Sequence, residues 1–137
     1  MQDARRVLTE AGVQVVTAWT ESDGIEKLTD SATPIDGVIT DLFMPHAPMS
    51  PWNESDQPCG LAVALCAERA GIPFVICTAG YHHGAKYDWI CQLGRARGWP
   101  AMVDVEPTNS ANRYHAEGPV KDWARAWESL EQQIAKT

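Results

Sequence analysis

Apolar positions along the chain follow two patterns, short continuous runs and helical spacing. The short runs predict four strands, at residues 13–18, 35–41, 74–77 and 101–105. The helical spacing predicts five helices, at residues 2–11, 22–31, 61–70, 84–97 and 120–134. Helices that alternate with strands are typical of a parallel sheet with right-handed crossovers. We therefore expect a single α/β domain over residues 1–137, with its helices and sheet in three layers.

Glycines and small polar residues predict where the helices begin and end. Gly12 and Gly71 follow the first and third predicted helices, where a glycine commonly ends a helix in the left-handed conformation. Ser22 or Asp23 is the expected cap of the second helix, because both side chains can accept a hydrogen bond from its first turn.

Residues 44–58 interrupt the alternation. They contain Pro45, Pro48, Pro51 and Pro58. Proline is excluded from helix interiors and central strands, so this stretch is a long loop. Long loops in compact domains are usually functional or mobile, and this one is a candidate lid. Trp52 is either an anchor for a binding partner or a side chain that packs onto its own loop.

Asp41 ends the predicted strand at 35–41 and immediately precedes this loop. In open parallel sheets, ligands and chemistry gather at the carboxyl ends of the strands. Asp41 is therefore a candidate reactive or metal-binding carboxylate. The alternative is an aspartate that only ends the strand and stabilises a turn.

Composition narrows the class of protein. Apolar residues make up 45% of the chain and charged residues 21%, as in globular domains. The net charge of −7 argues against non-specific nucleic-acid binding. The sequence has neither a membrane-spanning run nor an apolar signal core, so we expect a cytoplasmic protein. The four cysteines lack CxxC spacing, which favours reduced thiols over metal ligands or disulfides.

Three segments, in this order, resemble the receiver domain of two-component response regulators. Residues 12–18, GVQVVTA, resemble the second strand of that family. Residues 36–45, DGVITDLFMP, resemble its phosphoacceptor strand and loop and place Asp41 at the phosphorylated aspartate. Residues 72–79, IPFVICTA, resemble the next strand and place Thr78 at the hydroxyl that contacts the phosphoryl group. The resemblance covers nearly the whole chain, apart from an insertion at 46–57.

The resemblance implies a flavodoxin-like fold and a bacterial signalling protein that takes part in a phosphorelay. It implies Mg²⁺ as cofactor and a histidine kinase or another signalling protein as partner. The pocket rim around Asp41 would then be formed by Met44, Pro45, Ala79, His82, His83 and the residue at 106.

This sequence departs from the family at three places. The first strand and the acidic pair that holds Mg²⁺ are absent, through either truncation or loss. Glu106 stands in the place of the family's lysine, and Val103 stands where a switching aromatic residue is common.

These departures weaken the phosphoacceptor site. Phosphoryl transfer depends on cations that neutralise the transferring oxygens, and Asp41 alone is a weak Mg²⁺ ligand. Lys86 or Lys121 is a conceivable substitute for the missing lysine, but the sequence does not place either one. We therefore expect a pseudo-receiver that acts through protein–protein contacts, with a vestigial or weak site at Asp41 and no enzymatic activity beyond self-phosphorylation. A competent Mg²⁺-dependent phosphoacceptor is the alternative.

Two other classes are weaker. Hydrolases with an aspartate nucleophile carry a second aspartate two residues later, where this chain has Phe43. A metal-binding protein or enzyme would use His82 and His83, together with His46, Cys59, Cys91 or His115. Adjacent histidines on a loop point in different directions and rarely share an ion. One of them beside Asp41 would make the pocket pH-sensitive.

The absent first strand also affects the sheet. Either the strands at 13–18 and 35–41 pair directly, or an open groove remains between them. Because a bare strand edge favours association, we expect a rearranged sheet or a homodimer.

Overall fold

The computed structural model describes residues 2–48, 57–78, 87–104 and 121–137. These residues form a mixed α/β fold with five helices and a small parallel sheet of two strands, which confirms the predicted class. No helix in these ranges is long and apolar enough to cross a membrane. In chain order the elements are α1 (Gln2–Glu10), α2 (Glu21–Thr29), β1 (Val38–Thr40), α3 (Gly60–Ala70), β2 (Phe74–Ile76), α4 (Asp88–Arg97) and α5 (Trp123–Ala135).

The two strands pair in parallel, and α3 connects them along the chain. Val38 lies opposite Phe74, and Thr40 lies opposite Ile76. One further parallel bridge joins Cys77 to Val103. Within the described residues, the strand expected at 101–105 is therefore reduced to this single bridge.

Side chains of β2 alternate between two apolar clusters on opposite sides of the sheet. Phe74 and Ile76 belong to a cluster with α3 and Ile90 of α4. Val75 and Cys77, the residue directly after β2, belong to a second cluster with buried residues of α5. Every β2 residue is buried. This burial on both faces is the physical reason for the uninterrupted apolar run in the sequence.

The strand expected at residues 13–18 is not formed. The segment has strand-like composition, and its exposure alternates, with Gln14 and Val16 more exposed than their neighbours. A strand requires a partner for its backbone groups, and direct pairing with 35–41, one of the two arrangements considered, is not made. The segment is instead held at its ends, where Val13 N donates to Leu8 O and Lys27 Nζ donates to Thr17 O at 2.6 Å.

The ends of α1 and α3 are as predicted, and the N-cap of α2 is corrected. Gly12 and Gly71 have φ angles of 81° and 71°, in the left-handed region that favours glycine. The cap of α2 is Thr20 rather than Ser22 or Asp23, because the Thr20 hydroxyl accepts from Asp23 N at 3.2 Å. Asp23 lies within the first turn and pairs with Lys27 one turn later.

The far ends of α3 and α4 are joined by a polar contact. The Glu68 carboxylate accepts hydrogen bonds from the Arg97 guanidinium and the Trp99 indole. The hydrogen bond from Arg97 and that from Trp99 hold the pKa of Glu68 below its usual range. Trp99 also packs edge-on against Phe74, so the contact closes one end of the apolar cluster.

Substitution of Leu42 tests the importance of the cluster around α3. Leu42 is fully buried in this cluster. Leu65 lies on α3, the helix that covers the cluster, and is 37% exposed. We expect Leu42→Ala to lower the free energy of unfolding by about 2–5 kcal/mol. Leu65→Ala should lower it by less than about 1 kcal/mol. Urea denaturation measures both, and equal losses would contradict this assignment of the core.

Candidate functional site

The ends of β1 and β2 lie at one edge of the sheet. Because the strands are parallel and Thr40 lies opposite Ile76, Asp41 and Thr78 both follow at that edge. Thr78 is fully buried, and its N–H donates to Val103 O at 2.9 Å. The sequence placed these two residues in one site, and the structure brings both to the same edge.

Asp41 is paired with a lysine at this edge. Lys121 Nζ donates a hydrogen bond to Asp41 Oδ2. Phe43 N donates to Asp41 Oδ1 at 3.3 Å, so both carboxylate oxygens are engaged. The side chains of Asp41 and Lys121 are only 25% and 21% exposed. The pair is therefore partly withdrawn from water, where an ion pair is screened less than at the open surface.

The start of α5 positions Lys121. The Asp122 side chain accepts from Arg125 N at 3.1 Å and caps the helix. The Lys121 ammonium lies 5.3 Å from the centre of the Trp123 ring, within the range of a cation–π contact. The sequence named Lys121 without placing it. Its position directly before the N-cap of α5 was the sequence feature that could have indicated its place.

The first turn of α3 reaches the same edge. Gly60 N donates to Leu42 O at 2.9 Å. The Thr40 hydroxyl donates to Asp41 O at 3.0 Å. The backbone at Asp41 is therefore held by its own strand and by the helix that follows the long loop.

Cys77 lies beneath the charged residues. Its thiol contacts Asp122 O at 3.9 Å. Burial raises the pKa of Cys77 to about 12, an effect that Lys121 opposes and that Asp41, Asp122 and Asp104 reinforce. A thiol with this pKa is protonated at neutral pH, so Cys77 is a core residue rather than a nucleophile.

The first loop residues after β1 lie on the N-terminus of α2. Pro45 O accepts from Glu21 N at 2.9 Å, and His46 O accepts from Ser22 N at 3.1 Å. His46 Nδ1 lies 3.0 Å from Glu21 Oε2. Met44 and Pro45 therefore connect Asp41 directly to α2. This end of the long loop is therefore fixed to α2.

Several predicted site residues lie outside the described part of the chain. They are Ala79, His82, His83, Lys86, Glu106 and His115, together with Trp52 and residues 49–56 of the long loop. The roles assigned to them from the sequence stay predictions.

The described residues bring no cluster of carboxylates to Asp41 that would form a magnesium site. Mg²⁺ requires near-octahedral oxygen coordination, usually with one or two carboxylates. Lys121 and Phe43 N already engage the two Asp41 oxygens. Within the described ranges, no group of three or more His, Cys, Asp or Glu side chains could hold a metal ion, which also applies to Cys59 and Cys91.

Asp104 is a charged residue at this edge that the sequence analysis missed. It directly follows Val103, which bridges to Cys77. It lies close enough to Cys77 to raise the pKa of the thiol. The strand predicted at 101–105 contains Asp104, so the rule that selected Asp41, a carboxylate directly after a strand, does not select it.

No known protein family, no curated protein and no solved structure matches this chain. The geometry of the site and the resemblance in the sequence are therefore the basis for a functional proposal.

Alkylation tests the environment of Cys77. Because its pKa is raised to about 12, we expect native Cys77 to react with iodoacetamide at pH 8.5 at least ~100-fold more slowly than the half-buried Cys66. Peptide mass mapping measures both rates, and denatured protein provides the control in which both react. Equal alkylation rates of Cys77 and Cys66 in the native protein would contradict this environment.

The same thiol predicts a dependence of stability on pH. In the unfolded chain the Cys77 thiol ionises first, near its ordinary pKa of 9.0, so the free energy of unfolding should fall as the pH rises from 9 towards 12.

Proposed function

We propose that the chain is a receiver-like, three-layer signalling domain that acts through protein–protein contacts, with a vestigial phosphoacceptor site at Asp41. The contact between Asp41 and Lys121 carries this proposal. Supporting it are the order of the three receiver-like segments, the parallel pairing of β1 with β2, and the apolar clusters on both faces of the sheet.

The paired carboxylate is a poor nucleophile as it stands. To attack a phosphoryl group, Asp41 must present a free oxygen, and the transferring oxygens must be neutralised by cations. Lys121 and Phe43 N stabilise the carboxylate before any reaction. Interactions that stabilise the ground state do not accelerate the chemical step. Lys121 thus supplies the positive charge that the sequence left unplaced, but here that charge holds Asp41 itself, which supports a fixed scaffold.

Lys121 also favours a second candidate, a competent phosphoacceptor in a phosphorelay. The ammonium would move from Asp41 Oδ2 to the phosphoryl oxygens and supply the positive charge that Glu106 cannot. In this candidate, Lys121 would replace the family's lysine from a different position in the chain. Thr78 lies at the same edge, and the resemblance assigns it the hydroxyl that contacts the phosphoryl group.

Intact mass after incubation with acetyl phosphate distinguishes the two candidates. The proposal predicts no phosphoryl gain by the native chain, with or without Mg²⁺, because the carboxylate is engaged and the described residues lack a magnesium site. Asp41→Asn is the control for the site, and Lys121→Met removes the ammonium while keeping a similar length of side chain.

One phosphoryl group gained by the native chain and absent from Asp41→Asn would contradict the vestigial site. Loss of that gain in Lys121→Met would then assign the neutralising charge to Lys121. A gain only in Lys121→Met would show that Lys121 restrains Asp41, as the proposal requires.

A second copy of the chain is a candidate partner, through the outer edge of β1. Val38 N donates to Pro73 O, and Cys77 N donates to Thr40 O, so these residues of β1 bond towards β2. In a parallel ladder the backbone groups of the residue between them, Ile39, point to the other edge. That edge has no partner strand within the described ranges. Open edges favour association with another chain.

Light scattering tests this homodimer. We expect the native chain to scatter as a dimer and Ile39→Pro to scatter as a monomer, because proline removes the outward N–H without removing a bond to β2. Circular dichroism checks that the variant remains folded. A monodisperse native monomer would contradict the homodimer.

A further inference from the structure

Gly60, the first residue of α3, makes an unusually close approach to the backbone of Asp41. A Cβ added to Gly60 would lie 1.6 Å from Asp41 O and 2.7 Å from Asp41 C. It would also lie 3.1 Å from Leu42 Cα. Real Cβ contacts essentially never fall under 3.0 Å, and the atoms met here are backbone rather than flexible side chains. Only glycine fits at this position.

Other described glycines differ from Gly60 in what an added Cβ would meet, and at Gly37 it would meet only side-chain atoms, the nearest at 3.0 Å. Gly24 and Gly94 lie within helices, and an added Cβ would meet its nearest atom at 3.5 Å and 3.7 Å, ordinary contact distances. Gly71 and Gly98 have open space, and their positive φ explains their identity. Gly60 is not among the glycines with positive φ. Its identity therefore follows from the close approach to Asp41.

The same residue anchors α3 to the end of β1. The first N–H groups of a helix have no partner within the helix. The N-cap residue of α3, Cys59, makes no side-chain capping hydrogen bond, and Gly60 N donates to Leu42 O at 2.9 Å. Leu42 is fully buried, so the peptide that joins it to Asp41 cannot simply move outwards.

We infer that Gly60 is the positioning residue of Asp41. Its missing side chain allows α3 to lie against the peptide between Asp41 and Leu42, and this contact fixes the direction in which the carboxylate points. Lys121 is held separately, at the start of α5 beside Trp123. The two charges meet only while the Asp41 backbone keeps this position. The inference rests on the proposed function in taking the Asp41–Lys121 pair as the functional site.

A methyl group at Gly60 would disturb the pair through the backbone. To reach 3.0 Å from the new Cβ, the Asp41 carbonyl must rotate or α3 must withdraw. Rotation of that peptide redirects the Asp41 side chain, while withdrawal of α3 breaks the hydrogen bond to Leu42 O. The chain leaves the sheet after Asp41 and returns to the same peptide at Gly60. A ligand that displaces α3 would therefore act on Asp41 by the same route.

The side-chain ammonium signal of Lys121 in NMR spectra reports on the pair. An ammonium held by a carboxylate exchanges its protons slowly enough to be observed, and Asp41→Asn should abolish the Lys121 signal. We expect Gly60→Ala to abolish it as well, at a temperature where circular dichroism shows the variant folded. Gly94→Ala also adds a methyl group within a helix and should leave the signal intact. A folded Gly60→Ala with the native Lys121 signal would overturn the inference.

A reciprocal measurement covers the case in which Gly60→Ala does not fold. Coupling between two sites acts in both directions, so a change at Asp41 must be felt at Gly60. In Asp41→Asn we expect the Gly60 amide to exchange at least roughly 3-fold faster than in the native chain, with the Gly94 amide unchanged. Identical exchange at Gly60 would overturn the inference. Neither the Lys121 signal nor the Gly60 amide exchange requires phosphorylation or a partner. The acetyl phosphate experiment can therefore contradict the proposed function while this inference stands.

Discussion

The contact between Asp41 and Lys121 joins the end of β1 to the start of α5 across 80 positions of sequence. A partly buried charge is costly unless it is paired, and removal of one partner leaves the other uncompensated. Here Phe43 N completes the carboxylate's hydrogen bonds, and the Trp123 ring covers the ammonium. The contact therefore fixes two elements that the apolar clusters alone would only bring near each other.

The apolar framework determines where this contact can form. β2 is buried on both faces, with α3 on one side and α5 on the other, so these two helices are held against the same short sheet. Their N-termini meet the edge where β1 ends. Gly60 brings α3 against the Asp41 peptide, and Lys121 brings a cation from α5. The proposed scaffold role rests on this fixed charge pair.

Much of the fold could be predicted because local pattern and burial agree. The apolar run of β2, the spacing of α5 and the glycines after α1 and α3 each indicate a single local structure. Residues 13–18 have an equally strong strand pattern, but a strand also needs a partner. The pairing of Lys121 with Asp41 and the close approach of Gly60 could not be predicted, since a long-range ion pair and a missing Cβ depend on three-dimensional proximity. Asp41 could be found because the carboxyl ends of parallel strands lie at the same edge of a sheet.

A double-mutant cycle with Asp41→Asn and Lys121→Met tests the central contact most directly. Both side chains keep their approximate size, and only the charges are removed. From urea denaturation of the four proteins, we expect a coupling free energy of about 1 kcal/mol or more, at the upper end for ion pairs that are not fully buried. A coupling energy of zero within error would mean that the two charges do not hold β1 and α5 together.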